Sequence, residues 1–353
     1  MAKAKKGEIV KTFEEIISFE SLYKAHRRAR LGKRHKKEVI EFEMNLSENL
    51  WKLHYELKYG TYKIEDYNEF MVFDPKEREI QAIHYRDRIV QHSICDNFFI
   101  PVLDRRLIYD NSACRVGKGT HFIMKRLKKF MREYYRENGA VGYFIKFDIR
   151  KYFPSIVHNV LLSKIRQLPI DKRTYELTEK IIRSYGNGYG LPMGNQSSQC
   201  FALYYLDKVD RYVKEQLRIK HYVRYMDDMI IMVGSKAKAK EIFEKVSAEI
   251  VASGLDVNKK SQIISIKNGI EFLGWRFHFG ANGKIVQTMK HSAVKRIYAK
   301  ASAKAYDLKG EKGNSVQIDA MLCSYKGHLL HGRAFHFYKK VESKLNSVKQ
   351  CTN

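Results

Sequence analysis

His221-Tyr222-Val223-Arg224-Tyr225-Met226-Asp227-Asp228-Met229-Ile230-Ile231-Met232-Val233 sets two carboxylates between two apolar runs, and Gly234-Ser235 closes the stretch. Neighbouring side chains of a regular strand point to opposite faces, so Asp227 and Asp228 can serve one site only at a tight turn. The flanks predict strands over 221–225 and 229–233, joined as a hairpin with the acids at its tip. Asp148 ends another apolar run, Val141-Gly142-Tyr143-Phe144-Ile145-Lys146-Phe147, where a strand would stop. Pro154 then suits the first turn of a helix predicted over 155–165.

Three carboxylates converging without a counter-ion would repel, and each would tend to take up a proton. A hard divalent cation removes that difficulty, because Mg²⁺ prefers oxygen ligands and binds through a few carboxylates plus substrate phosphates. In a two-metal site one ion activates the attacking oxygen and the other stabilises the leaving pyrophosphate. An Asp-Asp pair alone is ordinarily a solvated acidic turn, so the surrounding blocks decide its meaning.

Those blocks are Phe147-Asp148-Ile149-Arg150-Lys151-Tyr152-Phe153-Pro154-Ser155-Ile156, Gly190-Leu191-Pro192-Met193-Gly194-Asn195-Gln196-Ser197-Ser198-Gln199, the Tyr225 to Asp228 box, and Phe272-Leu273-Gly274-Trp275. In this order they make the chain resemble the reverse transcriptases, from about Ser21 to its C-terminus. Most such enzymes carry Gln-Gly and later Ser-Pro in the second block, where this chain has Met193-Gly194 and Ser198-Gln199. That difference resembles the diversity-generating retroelement branch. So do Ser112-Ala113-Cys114-Arg115-Val116-Gly117-Lys118-Gly119-Thr120-His121 and Ser324-Tyr325-Lys326-Gly327-His328. Prokaryotic reverse transcriptases of phage defence share some of these traits and stand as the alternative.

The resemblance implies an α+β right-hand polymerase: a basic helical N-terminal extension over 1–45, fingers over 46–140, a two-layer palm over 141–275 and a short helical thumb over 276–353. It implies RNA-directed DNA synthesis from a noncoding template RNA, using dNTPs and two Mg²⁺ ions, with Mn²⁺ as a substitute. The product is an RNA/cDNA duplex, with errors directed to template adenines and a basic accessory variability protein as partner. Asp148 and Asp227 become the main metal ligands and Asp228 the second-ranked one.

Other positions gain roles in the same way. Phe153, five residues after Asp148, falls where the family places a bulky side chain under the sugar, and its ring would collide with a 2′-hydroxyl. Read without the resemblance, Phe153 is a core ring between Tyr152 and Pro154. Met193 stands where a glutamine elsewhere touches the incoming nucleotide or its template base; a thioether packs but makes no strong hydrogen bond, so base selection there would be looser. The plainer reading is a Met packed under a Gly-rich turn. Gly194 and Gln199 complete this dNTP block. Arg78, with Lys76 beside it, matches the fingers' phosphate-binding cation, and a guanidinium grips phosphate bidentately; most such charged runs are solvated hairpins. Of Lys259 and Lys260, near the leaving pyrophosphate in the family, Lys260 is the choice for general acid.

Composition points to a polyanionic partner independently. Lys plus Arg number 66 against 39 Asp plus Glu, a formal charge of +27. Such a field attracts nucleic acid in a salt-dependent way. The cations cluster: Arg27, Arg28, Arg30, Lys33 and Arg34 lie within 24–37, Arg115 and Lys118 in the Gly-rich loop, Lys125 and Lys128 on a predicted helix, and Lys295 and Arg296 further on. Template and primer binding would use them, although charged helix faces are ordinarily just solvated. The 23 tyrosines allow base stacking. Two competing readings are a catalytically inactive RNA-binding protein that keeps only this surface, and a metal-dependent nuclease, which leaves Phe153 and Arg78 without a role.

Five cysteines without C-x-x-C spacing predict neither a disulfide framework nor a zinc site, and a reducing cytoplasm as the setting. No apolar run is long enough for a membrane span. The short stretch after Trp275 leads us to expect no ribonuclease H domain. Periodicity predicts helices over 13–31, 39–57, 87–98, 236–252, 293–308 and 316–345, and another after Ser197-Ser198 capped by either serine. Residues 62–83 read as extended, Pro101 lies beyond the 87–98 helix, and strands are predicted near Phe277 and Val286.

Overall fold

The computed structural model describes residues 10–73, 77–309, 315–330 and 332–349. The N-terminal part holds α1 (Phe13–Ile17), α2 (Phe19–Ala29), α3 (Lys37–Met44) and α4 (Leu46–Lys58), where the sequence predicted two helices. Ser18 makes the first break: it is extended (φ −57°, ψ 150°) and its hydroxyl accepts from the Ser21 amide, capping α2. A short polar side chain that bonds the backbone competes with helix continuation. Asn45 (φ −124°, ψ 45°) makes the second.

Strands β1 (Asn68–Val72) and β2 (Arg78–Ala82) then pair antiparallel within the stretch read as extended. Helix α5 (Tyr85–Ile94) passes through a π-helical turn, Cys95–Phe99, into α6 (Ile100–Arg106). Pro101, expected beyond the helix, lies in the first turn of α6, where a missing N–H is best tolerated. The basic helix is α7 (Thr120–Asn138), followed by β3 (Tyr143–Phe147).

The helix predicted over 155–165 is divided into α8 (Tyr152–Ser155) and α9 (His158–Ile165). Ile156 and Val157 leave the helix to pair with the Gly-rich segment: Gly190 donates to the Ile156 carbonyl at 2.8 Å, His158 donates to that of Gly188 at 3.0 Å, and Val157 bridges Tyr189. Helices α10 (Lys172–Arg183), α11 (Gln196–Tyr205) and α12 (Asp207–Arg211) follow, the last running into a π-helical turn at Tyr212–Gln216. Asn195 holds the N-cap position of α11; Ser197 and Ser198, expected to cap it, are buried in its first turn.

Next come β4 (Tyr222–Tyr225), β5 (Asp228–Val233), α13 (Lys236–Ala252) and β6 (Gln262–Ser265), then a second sheet of β7 (Ile270–Phe272), β8 (Trp275–Phe279) and β9 (Ile285–Met289). Helices α14 (His291–Lys309), α15 (Ser315–Leu329) and α16 (Phe335–Lys349) complete the described chain. The single helix predicted over 316–345 turns a corner at Gly332, where a Cβ would stand 2.2 Å from the Trp275 ring.

The central sheet has the order β4-β5-β3-β6, antiparallel throughout. Strand alternation divides its residues between two cores. Ile145, Phe147, Met229 and Ile231 pack with Phe201 and Tyr205 of α11 and Ile242 and Val246 of α13. Phe144, Val223, Ile230 and Met232 pack with Ile123 and Leu127 of α7, Trp275, Phe277 and the last three helices. The expected two-layer arrangement thus has a third layer, because both faces of the sheet are apolar and both are covered.

Candidate active site

Strand β4 ends at Tyr225 and β5 begins at Asp228, so Met226 and Asp227 are the whole loop. Two-residue hairpin loops require left-handed backbone, and Met226 at φ +54° supplies it. Phe147 pairs with Met229 in the β3–β5 register. One residue further along that register sets Asp148 opposite Asp228, on a shared face. Lys146, two residues back, brings its Nζ to 3.6 Å from Asp228 Oδ1 and donates to the Glu271 carbonyl at 3.0 Å. Asp148 is anchored by its backbone: its amide donates to Ser261 Oγ at 3.0 Å, and its carbonyl accepts from the Asn258 amide at 2.8 Å.

Neighbouring charges act on both acids of the hairpin tip. Burial pushes the Asp227 carboxyl up to about 6, its own backbone amide holds it back, and the charges of Asp228 and Asp148 add to the rise. Burial also raises Asp228; Lys146 opposes that shift and Asp148 reinforces it. Among the described residues, however, no three His, Cys, Asp or Glu side chains stand close enough to grip one metal ion. Residues 148, 227 and 228 are neighbours at the hairpin, and Asp228 takes the Lys146 ammonium as its counter-ion. An all-oxygen set with excess negative charge and raised proton affinity is one that a hard divalent cation would relieve, so the residues suit such an ion.

Two residues that sequence reasoning passed over hold the tip in place. Arg224 is fully buried in β4 and forms a two-pronged pair with Asp210 of α12, Nε to Oδ1 and Nη2 to Oδ2 both at 2.7 Å. Its Nη1 donates to the Met226 carbonyl at 3.0 Å, and its Nη2 to that of Leu203 at 2.9 Å. Tyr222 donates to the same Asp210 at 2.6 Å. Burial alone would lower the Arg224 pKa, but Asp210 outweighs it and the guanidinium stays charged. A signal was present, since a charged residue in the middle of an apolar strand needs a buried partner. The partner's identity was not in the local sequence.

The residues expected around a nucleotide fall as follows. Phe153 is half-buried beside Tyr152, and its carbonyl accepts from the Leu191 amide at 3.0 Å, which ties it to the Gly-rich block. Met193 and Gly194 line a cavity of about 340 Å³ together with Lys33, Phe70, Ile80 and Arg88. Gln199 lines an adjoining cavity with Gly194, Lys33 and Arg88. The structure therefore brings Lys33, expected on the nucleic-acid surface, to the Met193 turn. Arg78 opens β2; Lys76 lies outside the described residues. Lys260 is exposed, in the turn whose Asn258 and Ser261 hold the Asp148 backbone.

The expected nucleic-acid surface is only partly free. Arg115 is a correction: it is 9% exposed, with Nε on Asp104 Oδ1 at 2.6 Å and Nη1 on the carbonyls of Ile108 and Asn111 at 2.7 Å. It clamps its own loop, because a guanidinium with five donors can satisfy several inward-facing carbonyls at once. Lys118 donates to the Tyr109 carbonyl at 2.9 Å and lies 4.3 Å over that ring. Arg28 pairs with Asp96 and Arg30 with Glu43, each at 2.8 Å. Arg27, Arg34, Lys125, Lys295 and Arg296 are exposed, and Lys128 is half-buried.

A putative COX1/OXI3 intron 2 protein of Saccharomyces cerevisiae is 25% identical over a region covering 38% of this chain and 23% of that protein, so the chain spans under a quarter of the relative's length. The family described as reverse transcriptase (RNA-dependent DNA polymerase) matches residues 75–277, more than half of the chain and the whole of the hairpin, the Asp148 strand and the Gly-rich block. The chain belongs to the reverse transcriptase family, whose domain is a palm-and-fingers polymerase fold.

Proposed function

We propose that this protein is an RNA-directed DNA polymerase that copies a noncoding template RNA into cDNA, with Asp148, Asp227 and Asp228 as its catalytic metal ligands. The observation that carries this reading is the two-residue hairpin tip, whose register sets Asp228 opposite Asp148 and where the charges of Asp228 and Asp148 add to the rise that burial gives Asp227. Two Mg²⁺ ions, or Mn²⁺ in their place, would supply the chemistry of activating a primer 3′-hydroxyl and stabilising the leaving pyrophosphate. The chain's own residues orient that chemistry: Arg224 fixes the tip, Asn258 and Ser261 fix the Asp148 backbone, and Lys146 balances Asp228 until substrate arrives.

Phe153 is assigned to excluding the 2′-hydroxyl, Lys76 and Arg78 to the triphosphate, Met193, Gly194 and Gln199 to the base pair, and Lys260 to protonating pyrophosphate. Residues 1–45 act as a basic extension, 46–140 as fingers, 141–275 as palm and 276–353 as thumb, with Arg27, Arg34, Lys125, Lys128, Lys295 and Arg296 along the template and the RNA/cDNA duplex. The Met193-Gly194 pair supports the diversity-generating branch, with adenine-directed errors, a basic accessory protein and a cytoplasmic setting. Among the described residues no helix is long and apolar enough to cross a membrane.

Primer extension on an RNA template with Mg²⁺ and dNTPs tests the site. Asp227→Ala should lower the rate by about 10²- to 10³-fold, the loss expected when a preorganised charge is removed from a transition state. Unchanged synthesis would reject the assignment, and RNA binding without dNTP incorporation in the unmutated protein would favour the inactive RNA-binding reading. Sequencing the cDNA decides the branch: errors concentrated at template adenines support diversification, and faithful copying there favours phage defence.

A further inference from the structure

Away from the hairpin tip, among the helices that cover the first face of the sheet, a cavity of about 540 Å³ opens between α9, α12 and the ends of α6 and α13. None of the residues assigned to the polymerase site lines it. Its volume lies within the range of small-molecule sites, roughly 300–1,000 Å³.

Two buried polar atoms in its wall have no hydrogen bond, and a half-buried ammonium stands beside them. Asp207 is 5% exposed; its Oδ2 accepts from Arg211 Nε at 3.0 Å, while Oδ1 is buried with no donor. Arg106 Nε is buried with no hydrogen bond, and its nearest carboxylate oxygen is 3.8 Å away, on Asp207. The Lys164 ammonium lies 5.4 Å over the Tyr205 ring and makes no ion pair or hydrogen bond among the described residues. The other cations of the wall are committed: Lys208 to Glu249 at 2.7 Å and Arg211 to Glu215 at 2.9 Å.

Buried polar groups are nearly always paired, and each unpaired one calls for an explanation. One unpaired ammonium, one guanidinium held only by a long ion pair and one free acceptor around a single opening match a ligand that is anionic at one end and hydrogen-donating at the other. We propose that this cavity binds a nucleoside phosphate, with its phosphate between Lys164 and Arg106 and a sugar hydroxyl or base amino group donating to Asp207 Oδ1. Burial and the nearby Lys208 charge depress the Lys164 ammonium, a cost that an anion would offset. A free ribonucleotide and one nucleotide of an RNA chain offer this same chemistry.

Calorimetric titration with ATP, in EDTA so that no divalent ion ties phosphate to the hairpin carboxylates, separates the sources when run beside titration with a short unstructured RNA. If a free nucleotide is the ligand, ATP should bind the unmutated protein and Asp227→Ala alike, and Lys164→Gln should weaken it about tenfold, the loss of one charge-assisted hydrogen bond. If an RNA nucleotide is the ligand, only RNA affinity should fall by that factor, and by more than in the exposed Lys172→Gln control. Asp207→Leu, which removes the acceptor, should act in the same direction; if it melts early, Lys164→Gln alone decides, since Lys164 has no ion pair to lose. The proposal is overturned if ATP and RNA binding are both indifferent to Lys164→Gln, or if ATP binding disappears in Asp227→Ala while surviving in Lys164→Gln. Neither result depends on polymerase activity.

Discussion

Asp227 is a carboxyl that folding makes harder to ionise. Its folded value of about 6 stands above the ordinary 3.8, so the protonated form suits the fold. That contribution to stability is complete below about pH 3.8 and is lost as pH rises through about 6. Asp227→Asn keeps the shape and removes the charge. In EDTA the variant should melt close to the unmutated protein near pH 4 and above it at about pH 7, by roughly 2 °C for a chain of this size. Differential scanning fluorimetry across that range measures the difference, and a gap that does not vary with pH would remove Asp227 from this electrostatic setting.

Between hairpin and helix, the Arg224–Asp210 pair joins β4 to α12 and holds the Met226 carbonyl from inside. Removing one member of a buried pair strands the other and costs about 3–5 kcal/mol. Urea unfolding of Arg224→Met and of Asp210→Asn should each show that loss, and the double variant should lose clearly less than their sum. Additive losses would mean that the two residues act separately. This pairing also marks the limit of what could be read from sequence. The hairpin and α13 were legible because their signals are local: alternation about a two-residue turn, and a helix over Lys236–Ala252 whose N-cap Ser235 accepts from the Lys238 amide. The division of α8 from α9 was not legible, because it depends on pairing with Gly188 and Gly190, about thirty positions along the chain. Arg115 looked like a surface cation for the same reason, its partners being the Asp104 carboxylate and carbonyls that only the folded loop turns inward. Lys146 had a readable clue in sharing the strand parity of Asp148.

Across the molecule, a formal charge of +27 makes RNA affinity a function of ionic strength. Counterion release predicts a fall of about 10³-fold between roughly 50 and 200 mM salt for a protein that makes six or more phosphate contacts. Lys295→Ala and Arg296→Ala should each reduce the log–log slope by about 1 if they meet phosphates. Arg115→Ala should leave the slope unchanged and lower thermal stability, because its charge is spent inside the fold. Anisotropy titrations at several salt concentrations would distinguish the two groups, and equal slopes for all three variants would take the α14 stripe off the template path.

The Lys146 ammonium offsets part of the negative charge at the hairpin tip. If the three carboxylates hold a metal ion as proposed, an arriving cation would compete with a tethered side chain that keeps the Glu271 carbonyl as its other resting place. Occupancy of the hairpin tip would then be an exchange equilibrium, whose midpoint depends on how readily one lysine lets go as well as on how firmly the oxygens hold.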